Sequence, residues 1–203
     1  GMTQGLFATL IIGTMIQQIG LLIGGSTGNV IYLLGKAAAA LTSAGIGVGV
    51  AVKYGESPLV TVSAAVAAMV GGYAGKITGG TFFVDGNAVL AGPGEPLGAF
   101  IAAFAGITCG HLVSGKTKVD IIVTPVITIG AGSVVGLLVG PPISQMMTGL
   151  GSIINWATEQ RPFIMGIVVS VVMGMVLTLP ISSAALGIIL NLSGLAAGAA
   201  TIG

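Results

Sequence analysis

The chain has 203 residues, of which only 5% are Asp, Glu, Lys or Arg and 54% are hydrophobic, and its mean hydropathy is +1.10. Soluble domains carry about 25% charged residues, so a soluble fold would leave a large apolar surface in water, whereas in lipid that surface is matched by its solvent. A net charge of +1 with no basic cluster excludes a nucleic-acid surface, and a single cysteine, Cys109, excludes an intramolecular disulfide and a cysteine-based zinc site.

A spanning helix needs about 20 mainly apolar residues. The first such run is 5–24, with Gln17 and Gln18 as internal polar residues; no basic leader or small-residue cleavage site marks it as a signal peptide. The second is 29–52, which carries Lys36 and ends in the polar loop Lys53-Tyr54-Gly55-Glu56-Ser57-Pro58. Pro58 suits the first turn of a third helix reaching about residue 75. The apolar pattern then lapses over 76–96, a glycine-rich stretch holding Asp85, Asn87 and Glu95. A fourth run covers 97–113, closed by Ser114-Gly115-Lys116-Thr117-Lys118, and a fifth covers 120–139, with a break expected at Pro125. Pro141-Pro142 opens an amphipathic piece, 143–157, expected at the membrane interface beside Trp156, Glu159 and Arg161. Two further runs, 163–179 and 184–203, are separated by hydroxyl residues around Pro180.

The expected fold is therefore all-α: a polytopic helical membrane protein with about seven spans and re-entrant or interfacial pieces. The runs are too long and too continuous for barrel strands, which alternate over about 10 residues. The loops at Lys53 and at Lys116/Lys118 are separated by two spans and should share one end. They hold three of the six basic residues, which places them in the cytoplasm, with 76–95 approaching from the other side. Gly5 to Gly13 echoes Gly166 to Gly174, with a hydroxyl residue four places after the first glycine in each, Thr9 and Ser170. Such an echo is either a chance match of low-complexity apolar sequence or a sign of two structural repeats, as in many transporters. With the abrupt end at Ala200-Thr201-Ile202-Gly203, it also suggests one transmembrane domain that is a piece of a longer chain.

Candidate functional residues follow from cost. An ionisable group at membrane depth is unfavourable by roughly 2.5–3.5 kcal/mol, so it needs a partner, a wet cavity or the interface. Glu95 lies in Gly92-Pro93-Gly94-Glu95-Pro96, where two prolines and two glycines prevent regular helix. It is either a solvated loop residue or a carboxylate in irregular backbone lining a polar cavity, able to accept hydrogen bonds from sugar hydroxyls. Asp85-Gly86-Asn87 reads as a turn, and Asp85 and Asn87 are further candidates by their nearness to Glu95 in sequence. His111 is either hydrogen-bonded near a helix end or a substrate contact. Thr178 and Ser182 either satisfy carbonyls freed at Pro180 or face a polar substrate. No nucleophile–base constellation, phosphate loop or metal-ligand spacing occurs, so neither a catalytic residue nor a bound cofactor is expected. Gly45-Ile46-Gly47-Val48-Gly49 lacks the strand context and Lys-Ser/Thr of a nucleotide loop.

Three stretches together resemble one family: Gly94-Glu95-Pro96-Leu97-Gly98-Ala99-Phe100, Ser114 to Pro125 in the form SGKTKVDIIVTP, and Leu177 to Ala185 in the form LTLPISSAA. The sequence is similar to the membrane permease (EIIC) component of bacterial phosphotransferase systems, in the branch that includes the regulatory protein PfoR. The resemblance implies a sugar bound in the bacterial plasma membrane and passed across while EIIB, charged by EIIA, phosphorylates it. It also implies a homodimer, and it matches Glu95, and more loosely His111, to residues that hold sugar hydroxyls. A membrane regulator and an ion-coupled secondary transporter are the competing expectations.

Overall fold

The computed structural model describes residues 1–84, 86–90 and 92–158, together with 166, 167, 170, 171 and 174. Residues 1–143 form one compact unit and residues 144–203 a second.

The first rod comprises α1 (Met2–Leu6), a π-helical section (Phe7–Ile11) and α2 (Ile12–Ile23). Gly24 and Gly25, with φ of 64° and 65°, reverse the chain into α3 (Gly25–Ala40). The resulting α2–α3 hairpin is close because its facing positions lack side chains. A Cβ on Gly13 would stand 2.9 Å from the Gly35 carbonyl oxygen, and one on Gly20 would stand 2.7 Å from that of Gly28. In lipid, where apolar burial gives no driving force between helices, backbone approach of this kind supplies the packing energy.

The expected uninterrupted helix over 29–52 is instead two helices, α3 and α4 (Thr42–Tyr54), bent by 52°. Leu41 leaves helical geometry (φ −86°, ψ 9°), and the Thr42 hydroxyl donates to the Ala39 carbonyl at 2.6 Å, stabilising a shortened turn. α4 closes at Gly55, which is left-handed, and α5 (Pro58–Gly72) opens with the Ser57 hydroxyl accepting from the Val60 amide. A short α6 (Ala74–Thr78) follows a break at Tyr73. Two-residue strands β1 (Phe83–Val84) and β2 (Asn87–Ala88) pair antiparallel, Val84 opposite Asn87. This hairpin is the one departure from an all-helical fold among the described residues.

α7 (Pro96–Val113) returns along α5, with Ala99, Ala102 and Ala103 fully buried against a helix whose own buried face is Ala64, Ala67 and Ala68. α8 (Asp120–Thr158) contains Pro125, Pro141 and Pro142 without interruption. The break expected at Pro125 is absent. That residue stands in the second turn, so it deletes one backbone bond near the helix end. Such a loss is tolerated where neighbouring helices and hydroxyls satisfy the freed group.

Among the described residues, three helices are long and apolar enough to cross a membrane: Met2–Ile23, Pro96–Val113 and Asp120–Ile153. The bent pair α3–α4 makes a fourth if counted as one span, and α5 is apolar but shorter. The remaining expected spans, over 163–179 and 184–203, lie almost wholly outside the described residues. Leu22 (87% exposed), Ile121 (74%) and Leu138 (72%) face outward, as a lipid-bathed surface requires.

The loops at Lys53 and Lys116 do share one end. The Ser57 and Ser114 hydroxyls stand 3.1 Å apart, and His111 Nδ1 lies 3.0 Å from Glu56 Oε1. The echo between Gly5 and Gly166 gains little. Thr9 and Ser170 each donate to the glycine carbonyl four residues back, but Thr61, Ser63, Thr108 and Thr148 do the same to other carbonyls.

Candidate functional site

Three interruptions of helix meet at one place: the α3–α4 bend at Leu41, the α5–α6 break at Tyr73, and the loop 92–95. Their depth follows from helix length. From the Lys53 end, α4 rises about 20 Å and α5 about 22 Å at 1.5 Å per residue. Both fall short of the roughly 30 Å of bilayer hydrocarbon. Irregular backbone at such depth must be buried in protein or line a polar cavity, because lipid cannot satisfy freed N–H and C=O groups.

The chain satisfies most of these groups itself. The Glu95 amide donates to the Gly72 carbonyl at 2.6 Å, and the Ser43 hydroxyl donates to the Pro93 carbonyl at 3.1 Å. The Tyr73 hydroxyl reaches two carbonyls, Ala40 at 3.2 Å and Gly92. Ser43 and Thr42 are fully buried, and Tyr73 is 1% exposed. The Tyr73 ring packs against Phe82 at 5.4 Å between centroids, with the Lys76 ammonium 5.4 Å from the ring centre. Glycine is required at two positions. Gly94 has φ of 75°, and a Cβ there would stand 2.5 Å from Ser43 Oγ; a Cβ on Gly72 would meet the same hydroxyl.

One group at this junction is left over. Glu95 caps the start of α7 in an extended conformation, yet its carboxylate caps nothing. Its Oε2 is buried, and no donor reaches it among the described residues. A buried carboxylate oxygen without a donor is unfavourable, and a ligand hydroxyl would relieve it.

The other sequence-predicted residues are distributed unevenly. Asn87 lies on β2, exposed, within the same connection between α6 and α7. Asp85, Thr178 and Ser182 lie outside the described residues. His111 is in the last turn of α7, 16 residues from Glu95, or about 24 Å along the helix. It is paired there with Glu56, whose side chain is 7% exposed. The structure thus places Glu95 and His111 at opposite ends of one helix. Sequence reasoning missed Tyr73 and Ser43. The available signals were the Gly71-Gly72-Tyr73 triplet and the hydroxyl pair Thr42-Ser43, each inside an apolar run.

A family model described as Phosphotransferase system, EIIC matches residues 1–203. The chain belongs to the phosphotransferase system EIIC family. No curated protein and no solved structure matches it. The EIIC assignment makes the chain a membrane component of a sugar phosphotransferase permease, which agrees with apolar helices interrupted at one polar junction. The family implies a sugar substrate and EIIB and EIIA as partners.

Proposed function

We propose that this EIIC chain binds its sugar at the junction of the three helix breaks, with the Glu95 carboxylate accepting hydrogen bonds from sugar hydroxyls. The observation that carries this reading is the buried Oε2 of Glu95, which no donor among the described residues reaches, beside irregular backbone. Asn87, and Asp85 in the same connection, are secondary candidates. The residues at hand bind and orient; the phosphoryl group comes from EIIB, charged by EIIA, so the permease needs no nucleophile of its own. The protein works in the bacterial plasma membrane as a homodimer, with the Lys53 and Lys116 end in the cytoplasm, where positive loops are retained.

Uptake into reconstituted vesicles tests the reading. A panel of radiolabelled hexoses, hexitols and disaccharides is offered with EIIA, EIIB, the general phosphotransferase proteins and phosphoenolpyruvate inside. Accumulation of one sugar as its phosphate, lost in Glu95→Gln, is the expected result. Accumulation driven by an ion gradient without those partners would instead establish a secondary transporter. No uptake under either condition would favour a PfoR-like regulator.

A further inference from the structure

The Tyr73 side chain occupies the α5–α6 break, yet its polar contacts belong to two other elements. Its hydroxyl stands 3.2 Å from the carbonyl of Ala40, the last residue of α3 before the bend, and is also bonded to the carbonyl of Gly92 in the loop that carries Glu95. These acceptors are 52 residues apart in sequence, and each lies where the backbone leaves regular structure. A phenol has one O–H to donate. Two carbonyls share it, so displacing either element disturbs the contact to the other.

The ring leaves the hydroxyl little freedom. Tyr73 is 1% exposed, packed on Phe82, which in turn meets Phe83 edge-on at 4.9 Å, and covered by Lys76. A buried tyrosine commonly satisfies its hydroxyl on one nearby carbonyl. Here the hydroxyl joins two separate breaks, and the same junction adds Ser43 to Pro93 and Glu95 to Gly72. Glu95 is three residues from Gly92, so whatever fixes Gly92 fixes the approach of the carboxylate.

We infer that Tyr73 is a positioning residue that ties the α3–α4 bend to the Glu95 loop, so that the bend and the carboxylate shift together. The structural half of this inference is independent of what Glu95 binds. Its consequence for sugar affinity rests on the reading of Glu95 as a sugar ligand.

Tyr73→Phe removes the hydroxyl and keeps the ring on Phe82. Amide hydrogen exchange of the full chain in nanodiscs, read over 36–43 and 86–95, should rise about tenfold in both segments at once. Phe82→Leu, which loosens the ring but spares the hydroxyl, should not raise the two together. In vesicle uptake across the hexose, hexitol and disaccharide panel, Tyr73→Phe should raise KM about tenfold at unchanged kcat. Exchange unchanged in both segments, raised in one alone, or raised equally by Phe82→Leu would overturn the inference. Exchange raised in both segments, with Glu95→Gln leaving KM unchanged, would keep the tie and remove Glu95 as the ligand.

Discussion

The amide of Glu95 donates to the carbonyl of Gly72 at 2.6 Å, so the first residue before α7 is fastened to the last residue of α5. This bond brings a carboxylate to a place where helix has been given up on both sides. It also leaves no room for side chains. Gly94→Ala should destabilise the junction by about 1–3 kcal/mol, through left-handed strain and the encounter with Ser43 Oγ. Gly92 has a similar φ of 79° but open space around it, so Gly92→Ala should carry the strain alone. Unfolding in mixed micelles by graded SDS should rank Gly94→Ala as the more damaging of the two; equal effects would argue against the tight Ser43 contact.

The α2–α3 hairpin gives a second test. Gly20→Ala should weaken it by about 1–3 kcal/mol by overpacking against Gly28 and Tyr32. Gly130→Ala on α8, where a Cβ meets nothing within 4 Å, serves as the control and should be neutral or slightly stabilising. The same SDS titration reads both variants, and indistinguishable midpoints would mean the hairpin is looser than described.

Much of this architecture is written locally in the chain. α7 was expected over 97–113 and runs Pro96–Val113, because a proline opens it and Ser114-Gly115 ends the apolar run. The Glu95 loop was equally legible, since prolines and glycines exclude helix there. The bend at Leu41 was not. Nothing in Ala38-Ala39-Ala40-Leu41-Thr42 forbids helix, and the bend depends on bonds from Thr42 and from Tyr73, 32 residues beyond Leu41. Tyr73 and Ser43 escaped notice for the same reason, because their partners are distant in sequence. Pro125 misled in the opposite direction: a proline near a helix start reads as a break but removes only one hydrogen bond.

Two loops meet at the lysine end, and oxidation can report it. In a Cys109→Ser background, Ser57→Cys with Ser114→Cys should form a disulfide rapidly under copper phenanthroline, as their hydroxyls are 3.1 Å apart. The shift on a non-reducing gel after cleavage between the two sites is the readout. Absence of cross-linking would separate the loops.

The neighbouring pair of His111 and Glu56 should matter little to sugar handling. A polar pair with an exposed partner contributes about 0–1 kcal/mol, and this one stands about 24 Å along α7 from Glu95. His111→Ala should leave sugar affinity within about twofold of the parent. A tenfold loss would return His111 to the binding site.

The central claim is that the Glu95 carboxylate holds the sugar, and equilibrium binding tests it most directly. The transported sugar is titrated by calorimetry into the full chain in detergent at pH 8, as parent and as Glu95→Gln. A hydrogen bond to a charged group contributes about 1.5–3 kcal/mol, so the variant should bind at least about tenfold more weakly while its unfolding midpoint is no lower than the parent's. An unchanged dissociation constant in a folded Glu95→Gln protein would contradict the account.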